Sequence, residues 1–146
     1  MIYTPMVKRA ILLASDAHRG QYDKGGLPYI THPLHVADQM KTEDECVVAL
    51  LHDVMEDTGL TEFNLEEWGI SDRQIAALKL LCHDESVPYL EYIQRIRIDP
   101  IATAVKIEDL KHNSDLTRLN SITQVDLERV QKYKEALRIL QTIEIG

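Results

Sequence analysis

Between Glu43 and Asp57 the chain places Cys46, Val47, Val48, Ala49, Leu50, Leu51, Val54 and Met55, and into that apolar stretch it sets His52 and Asp53, followed by Glu56 and Asp57. Ionisable groups are costly to bury unpaired, so something must compensate them. At helical spacing His52 and Glu56 share a face, as do Asp53 and Asp57, which makes one broad polar patch on an otherwise apolar rod. A divalent cation would satisfy that patch, because neutral imidazole and carboxylate together suit borderline first-row metals such as Mn²⁺, Fe²⁺ or Zn²⁺. Two neighbouring ligands seldom hold a metal alone. Two more polar residues stand in apolar helical surroundings: His32 opens a helix just after a glycine-rich loop, and Asp109 interrupts the run Ile101, Ala102, Ala104, Val105, Ile107 and Leu110. His32, His52, Asp53 and Asp109 together offer imidazoles and carboxylates while leaving octahedral positions open to water and substrate. That is the pattern of a catalytic rather than a sealed structural site. Glu56 and Asp57 precede Thr58-Gly59 at a helix end, where acids oppose the macrodipole, so a nearby cation accounts for them too.

The elements that must position these residues read as helices. From about Thr4 to Arg19 the residues Met6, Ala10, Leu13, Ala14 and Ala17 form one apolar stripe, with Thr4 as N-cap, Pro5 in the first turn and Gly20 as a stop. Gln21 to Tyr29 reads as a loop broken by Gly25, Gly26 and Pro28, with Lys24 near its tip. A short helix follows His32-Pro33, and Glu43 to Asp57 reads as one central helix, apolar on nearly every side. Further helices are expected at Leu65 to Trp68, Ser71 to Cys82, Val87 to Ile98, Pro100 to about Ser114, and Gln124 to Thr142. Strand alternation is weak and no internal repeat or linker stands out. The expected architecture is a compact all-α bundle of about six to eight helices, a single domain over residues 1–146.

Composition narrows the function classes. Twenty-four acidic against 16 basic side chains give a formal charge of −8 over 146 residues, which disfavours broad binding to nucleic acid or anionic membrane. No apolar run approaches the roughly 18 to 20 residues of a membrane helix, and the N-terminus lacks a signal-peptide layout, so the expectation is a cytoplasmic protein. Cys46 and Cys82 sit in apolar helical patterns without CxxC spacing, as reduced thiols do.

Three separated blocks carry a family resemblance. They are Ala17-His18-Arg19-Gly20-Gln21 with Lys24, Gly26 and Pro28-Tyr29-Ile30-Thr31-His32-Pro33; then Leu50-Leu51-His52-Asp53-Val54-Met55-Glu56-Asp57-Thr58; then Val105-Lys106-Ile107-Glu108-Asp109-Leu110-Lys111-His112-Asn113. In this order and spacing the chain resembles the HD hydrolase domain of RelA/SpoT-type alarmone enzymes, and most of all the short single-domain members. The resemblance implies an HD-domain helical bundle and an Mn²⁺-dependent hydrolase that removes the 3′-pyrophosphate from (p)ppGpp. It implies His32, His52, Asp53 and Asp109 as metal ligands, Glu56 and Asp57 as the acidic pair that positions and activates water, and Lys24 and Asn113 as substrate contacts. It leaves no room here for the synthetase domain of longer members. One position departs from the pattern: where many members have an Arg-Lys pair in the loop, this chain has Asp23-Lys24, and an acid there would repel a pyrophosphate. Lys106, Lys111 and Arg118 are the cations that could compensate. Asp23 therefore keeps open a phosphohydrolase acting on another nucleotide such as NADPH or a nucleoside phosphate; a metal-dependent alarmone sensor without turnover is a separate alternative, against which the intact quartet together with Glu56 and Asp57 argues.

Simpler roles compete at several positions. Asp109 is spaced to pair with Lys106 or Lys111, His32 to cap a helix, and Asn113 to end one. His18 reads as structural, His35 and His83 as surface or loop residues, and His112 as lining the pocket or packing. Tyr89, Tyr92 and Ile96 follow helical spacing and read as core.

Overall fold

The computed structural model describes residues 1–142. Its helices are α1 (Pro5–Ala17), α2 (Thr31–Asp38), α3 (Glu43–Leu51), α4 (Val54–Asp57), α5 (Glu62–Glu67), α6 (Asp72–Leu81), α7 (Tyr89–Ile96), α8 (Pro100–Asn113) and α9 (Gln124–Gln141), with a 3₁₀ turn at Leu116–Arg118. Local chemistry sets most starts. The Thr4 hydroxyl accepts from Val7 N–H ahead of Pro5, and Asp99 accepts from Ile101 and Ala102 N–H ahead of Pro100. Thr42 with Glu45, Ser71 with Gln74 and Thr123 with Asp126 close reciprocal capping boxes on α3, α6 and α9. Each such cap contributes about 1 kcal/mol. Gly20, at φ 81°, turns the chain off the end of α1 in a conformation that disfavours any residue with a side chain.

α3 is the centre of the bundle. Cys46, Val47, Val48, Ala49, Leu50 and Leu51 are all fully buried, and α1, α2, α6 and α8 pack around them. α9 lies across α8 and α7. Apart from one antiparallel bridge between Tyr22 and Pro28, no strand occurs among the described residues.

One expected element is divided. The single helix anticipated over Glu43 to Asp57 stops at Leu51 and resumes at Val54, which raises the helix count among the described residues to nine. Asp53 has φ −102° and ψ −2°, flattened out of helical geometry. The His52 ring supplies a cause: its Nδ1 donates to the Ala49 carbonyl at 2.5 Å, competing with the backbone ladder just where it breaks. The break separates the polar patch read from helical spacing. His52 and Asp53 turn into the bundle, whereas Glu56 and Asp57 stay exposed at the rim. Smaller shifts occur at α5, which begins at Glu62, and at α7, trimmed to Tyr89–Ile96 by Pro88.

Candidate metal centre and adjoining pocket

Three elements bring the quartet together. His32 projects from the first turn of α2, His52 and Asp53 from the break after α3, and Asp109 from the buried face of α8. One donor atom from each lies within 4.8 Å of all the others. His32 Nε2 stands 2.8 Å from Asp109 Oδ1 and 3.8 Å from Asp53 Oδ2; His52 Nε2 stands 3.3 Å and 3.1 Å from the same two oxygens. Metal–ligand bonds of about 2.0–2.2 Å would set coordinating atoms about 3 to 4.4 Å apart, so the donors are already spaced for one ion.

The outer contacts say what belongs between them. Ala49 O can only accept, so His52 Nδ1 carries a proton and Nε2 is the ring's second site. His32 Nδ1 meets His112 Nδ1 at 2.8 Å, and the His112 imidazole is pushed down to about 4 by burial, by Arg118 and by the neighbouring His32 and His35 rings. A neutral His112 accepts from His32 Nδ1–H, which directs His32 Nε2 at Asp109. Imidazole lone pairs and carboxylate oxygens would then face each other at hydrogen-bond distance. Only a positive charge between them makes that stable, and both a proton and a divalent cation qualify. The donor set fits the cation.

Without a metal, charge is balanced by protons and by one lysine. Burial disfavours the His52 imidazolium, but Asp53 and Asp109 outweigh it and hold the ring well above its usual value. Burial likewise disfavours the Asp109 carboxylate, yet Lys106, His32 and His52 keep it far below the ordinary range. Lys106 Nζ lies 2.9 Å from Asp109 Oδ2. Asp109 is therefore both paired with Lys106, as its spacing allows, and aimed at the histidines. Lys111 pairs with Glu108 instead. Asp53 is held at about 2 by His52 against the opposing effect of burial, and its Oδ2 accepts from the Tyr29 hydroxyl at 2.5 Å.

The other anticipated residues ring this cluster. Asp57 has its carboxyl raised, by burial and then by Asp53 and Glu56, so it binds protons more readily than a free aspartate. Glu56 Oε1 accepts from His83 N–H at 2.6 Å, tying α4 to the segment after α6. Cys82, beside these acids, has its thiol pushed up to about 11 by burial, Glu56, Asp53 and Asp57, and stays neutral. Both cysteines are free. Lys24 and Asn113 line a cavity of about 290 Å³ that opens beside Tyr29 and His32, and Asn113 Nδ2 also donates to Asp109 Oδ1 at 3.1 Å. Leu116, Leu119, Val130 and Tyr133 are among the apolar residues that line the cavity.

Asp23 corrects an expectation. Its Oδ1 accepts from Gly25 and Leu27 N–H, both at 2.9 Å, and its Oδ2 lies 3.4 Å from Arg118 Nη2. The acid is loop-holding and neutralised, not a bare repulsive charge. Sequence reasoning gave no role to Tyr29, Gln21 or the α9 residues of the pocket. Gln21 could be found only in three dimensions, since it joins His18 Nδ1 to the Asp57 carbonyl. His35 is exposed and His83 lies in the loop between α6 and α7, as expected, and each also stacks on a neighbouring ring, His35 on His112 at 3.9 Å and His83 on Tyr92 at 4.5 Å. Tyr92 and Ile96 are core, as their spacing indicated, with Tyr89 half-buried beside them.

No family model matches the chain. Among curated proteins, a probable GTP pyrophosphokinase of Mycobacterium leprae is 30% identical over 152 residues, covering 96% of this chain and 18% of its own length. The guanosine-3′,5′-bis(diphosphate) 3′-pyrophosphohydrolase of Haemophilus influenzae is 51% identical over 69 residues, 44% of this chain and 10% of the relative. The bifunctional (p)ppGpp synthase/hydrolase SpoT of Escherichia coli is 48% identical over 65 residues, 42% of this chain and 9% of the relative. This chain belongs to the RelA/SpoT HD-domain family. Its span is at most about a fifth of the length of these RelA/SpoT relatives. A solved metazoan ortholog of SpoT, described as hydrolysing ppGpp, superposes with a TM-score of 0.80 at 21% identity, over 99% of this chain and 90% of the other. That likeness shows that the RelA/SpoT HD fold is shared.

Proposed function

We propose that this chain is a single HD hydrolase domain that acts as an Mn²⁺-dependent ppGpp 3′-pyrophosphohydrolase, releasing pyrophosphate from the ribose 3′-oxygen. The observation that carries the reading is the junction of two features: the His32, His52, Asp53, Asp109 cluster, and a cavity of about 290 Å³ that opens directly beside it, with Lys24 and Asn113 on its wall. His32, His52, Asp53 and Asp109 would hold the ion. When bound, it would lower the pKa of water and polarise the phosphoryl oxygens.

The remaining chemistry belongs to the chain. Water attacks the phosphorus attached to the ribose 3′-oxygen, that P–O bond breaks, and the 3′-oxygen leaves with a proton. Asp57, with its raised proton affinity, accepts the proton of the attacking water, and Glu56 beside it orients that water. Lys24 neutralises the phosphates, and Asn113 contacts substrate while staying fixed on Asp109. Leu116, Leu119, Val130 and Tyr133 give the base an apolar wall. No described helix is long and apolar enough to cross a membrane, and a nucleotide substrate fits a cytoplasmic location.

The test is incubation of purified, Mn²⁺-loaded protein with ppGpp, NADPH and simple nucleoside phosphates. Pyrophosphate release from ppGpp alone is expected. Phosphate release from NADPH or a nucleoside phosphate, with ppGpp untouched, would transfer the reading to another nucleotide; binding of ppGpp without turnover would make the protein a sensor.

A further inference from the structure

We propose that Arg118 is the residue that recognises a substrate phosphate in the pocket, and that Asp23 is the anion with which that phosphate competes for it. The inference rests on the nucleotide reading above and selects, from the cations Lys106, Lys111 and Arg118 that the sequence offers, the one that lines the cavity. Arg118 lines the cavity at 21% exposure, between Lys24 on the loop and Asn113 at the end of α8. Its Nη1 donates to the His112 carbonyl at 3.0 Å and to Asn113 Oδ1 at 3.3 Å, which anchors one side of the guanidinium. The same Asn113 donates to Asp109, so the anchored side leads to the metal cluster through a single residue.

The other side of the fork is held loosely. Nη2 stands 3.4 Å from Asp23 Oδ2, longer than the roughly 2.7–2.9 Å of a good charge-assisted hydrogen bond. Asp23 has stronger commitments, the two backbone N–H groups at 2.9 Å that shape the loop. A guanidinium presents five N–H donors in a planar fork matched to phosphate, and the contacts named leave part of that fork available on a cavity wall. The root of the side chain is fixed independently. A Cβ added to Gly25 would overlap the Arg118 carbonyl oxygen, so the loop and the 3₁₀ turn are in backbone contact there, and only glycine permits it. A phosphate entering beside Lys24 therefore meets a cation already in place and bound to a weaker rival.

A purely structural ion pair makes a different prediction, which supplies the test. Kinetics on ppGpp would be measured for the wild type, Arg118→Gln, Arg118→Lys and Asp23→Asn, with calorimetric binding of inorganic pyrophosphate in parallel. Glutamine keeps donors for the His112 carbonyl, and asparagine keeps an acceptor for the loop N–H groups, so both variants should retain the fold. Arg118→Gln is expected to raise KM and the pyrophosphate Kd about ten- to hundredfold with kcat little changed. Arg118→Lys should fall between, because charge returns without the fork. Asp23→Asn should tighten both by up to about fivefold, since it removes the competitor. If Arg118→Gln and Asp23→Asn both weaken binding, the pair is only a structural tie and the proposal is wrong. An unchanged KM and Kd in Arg118→Gln would overturn it equally. Should the wild type leave ppGpp intact, the hydrolase reading falls, and the pyrophosphate calorimetry still decides the role of Arg118 by the same opposite-sign comparison.

Discussion

Lys106→Met should expose how much of the metal-free fold depends on one buried cation. Lys106 and Asp109 are 14% and 6% exposed and 2.9 Å apart, so water screens their attraction little. Methionine keeps the apolar stem and deletes the charge, leaving the Asp109 carboxylate buried with only His32, His52 and Asn113 on Oδ1. Removing one partner of a buried pair costs about 3–5 kcal/mol. The surviving Oδ1 contacts place this case at the lower end, about 3 kcal/mol. The assay is urea denaturation in chelator of the wild type, Lys106→Met, Asp109→Asn and the double variant. The double-mutant cycle should return a coupling of about 2–3 kcal/mol. Mn²⁺ at a hundredfold excess over its Kd adds about 2.7 kcal/mol to whatever form binds it, so metal should restore much of the loss in Lys106→Met. A coupling below about 1 kcal/mol, the range of exposed pairs, would show that Lys106 is solvated in solution and that the charge balance described for this cluster is wrong.

Other perturbations separate the parts of the site. His52→Ala and Asp53→Ala should abolish metal binding measured by calorimetry, whereas Glu56→Gln should keep the metal and the His83 N–H contact while lowering kcat by about 10²- to 10⁴-fold; unchanged kcat would remove Glu56 from the mechanism. Tyr29→Phe deletes the 2.5 Å bond to Asp53 and should weaken metal affinity about tenfold or more, with thermal stability of the chelated protein showing whether the fold is intact. Because the Asp53 carboxyl falls from 3.8 to about 2 on folding, its contribution of about 2 kcal/mol should be complete above about pH 4 and lost between about pH 4 and pH 2 in chelator. Asp53→Asn should flatten that part of the stability profile. His52 shifts the other way: its contribution to the metal-free protein is full below about pH 6.5 and declines as pH rises through its elevated folded value. Metal affinity should rise over the same interval, because the ion needs the site the proton holds.

The bundle was readable because its helices are locally consistent. Thr4-Pro5, Thr42 with Glu45, Ser71 with Gln74 and Asp99-Pro100 mark starts by chemistry that acts within one turn. The break at His52-Asp53 was not readable, because it depends on a ring reaching back to Ala49 in the midst of a strongly apolar run. Periodicity registers the run and not the interruption. The quartet that could hold a metal was visible for a related reason: His32, His52, Asp53 and Asp109 are polar residues where the pattern demands apolar ones. Tyr29, Gln21 and Arg118 lie in loops and turns, where polarity is ordinary: the sequence offers Arg118 as one of several possible compensating cations and places Gln21 and Tyr29 in a motif block, but their partners, Asp23, Asp57 and Asp53, are set only by the fold.

The formal charge of −8 looks hostile to a polyanionic substrate, yet several of the acids near the candidate site are already paired, Glu56, Asp57 and Asp115 excepted among the described residues. Asp109 has Lys106, Asp53 has His52, Asp23 has Arg118 and Asp126 has Arg129, each at 2.9 to 3.4 Å. Beyond a Debye length of about 8 Å, the remaining surface acids are largely screened at physiological salt. Among the described residues Lys24 carries no ion pair, and it stands on the loop whose acid is already taken by Arg118. The local field at the cavity is thus set by which cations are free or loosely held, not by the sum over the chain. The same arrangement accounts for a loop acid at the mouth of the proposed phosphate site: its negative charge is matched by the Arg118 guanidinium, and a phosphate entering there would exchange one anion for a better one.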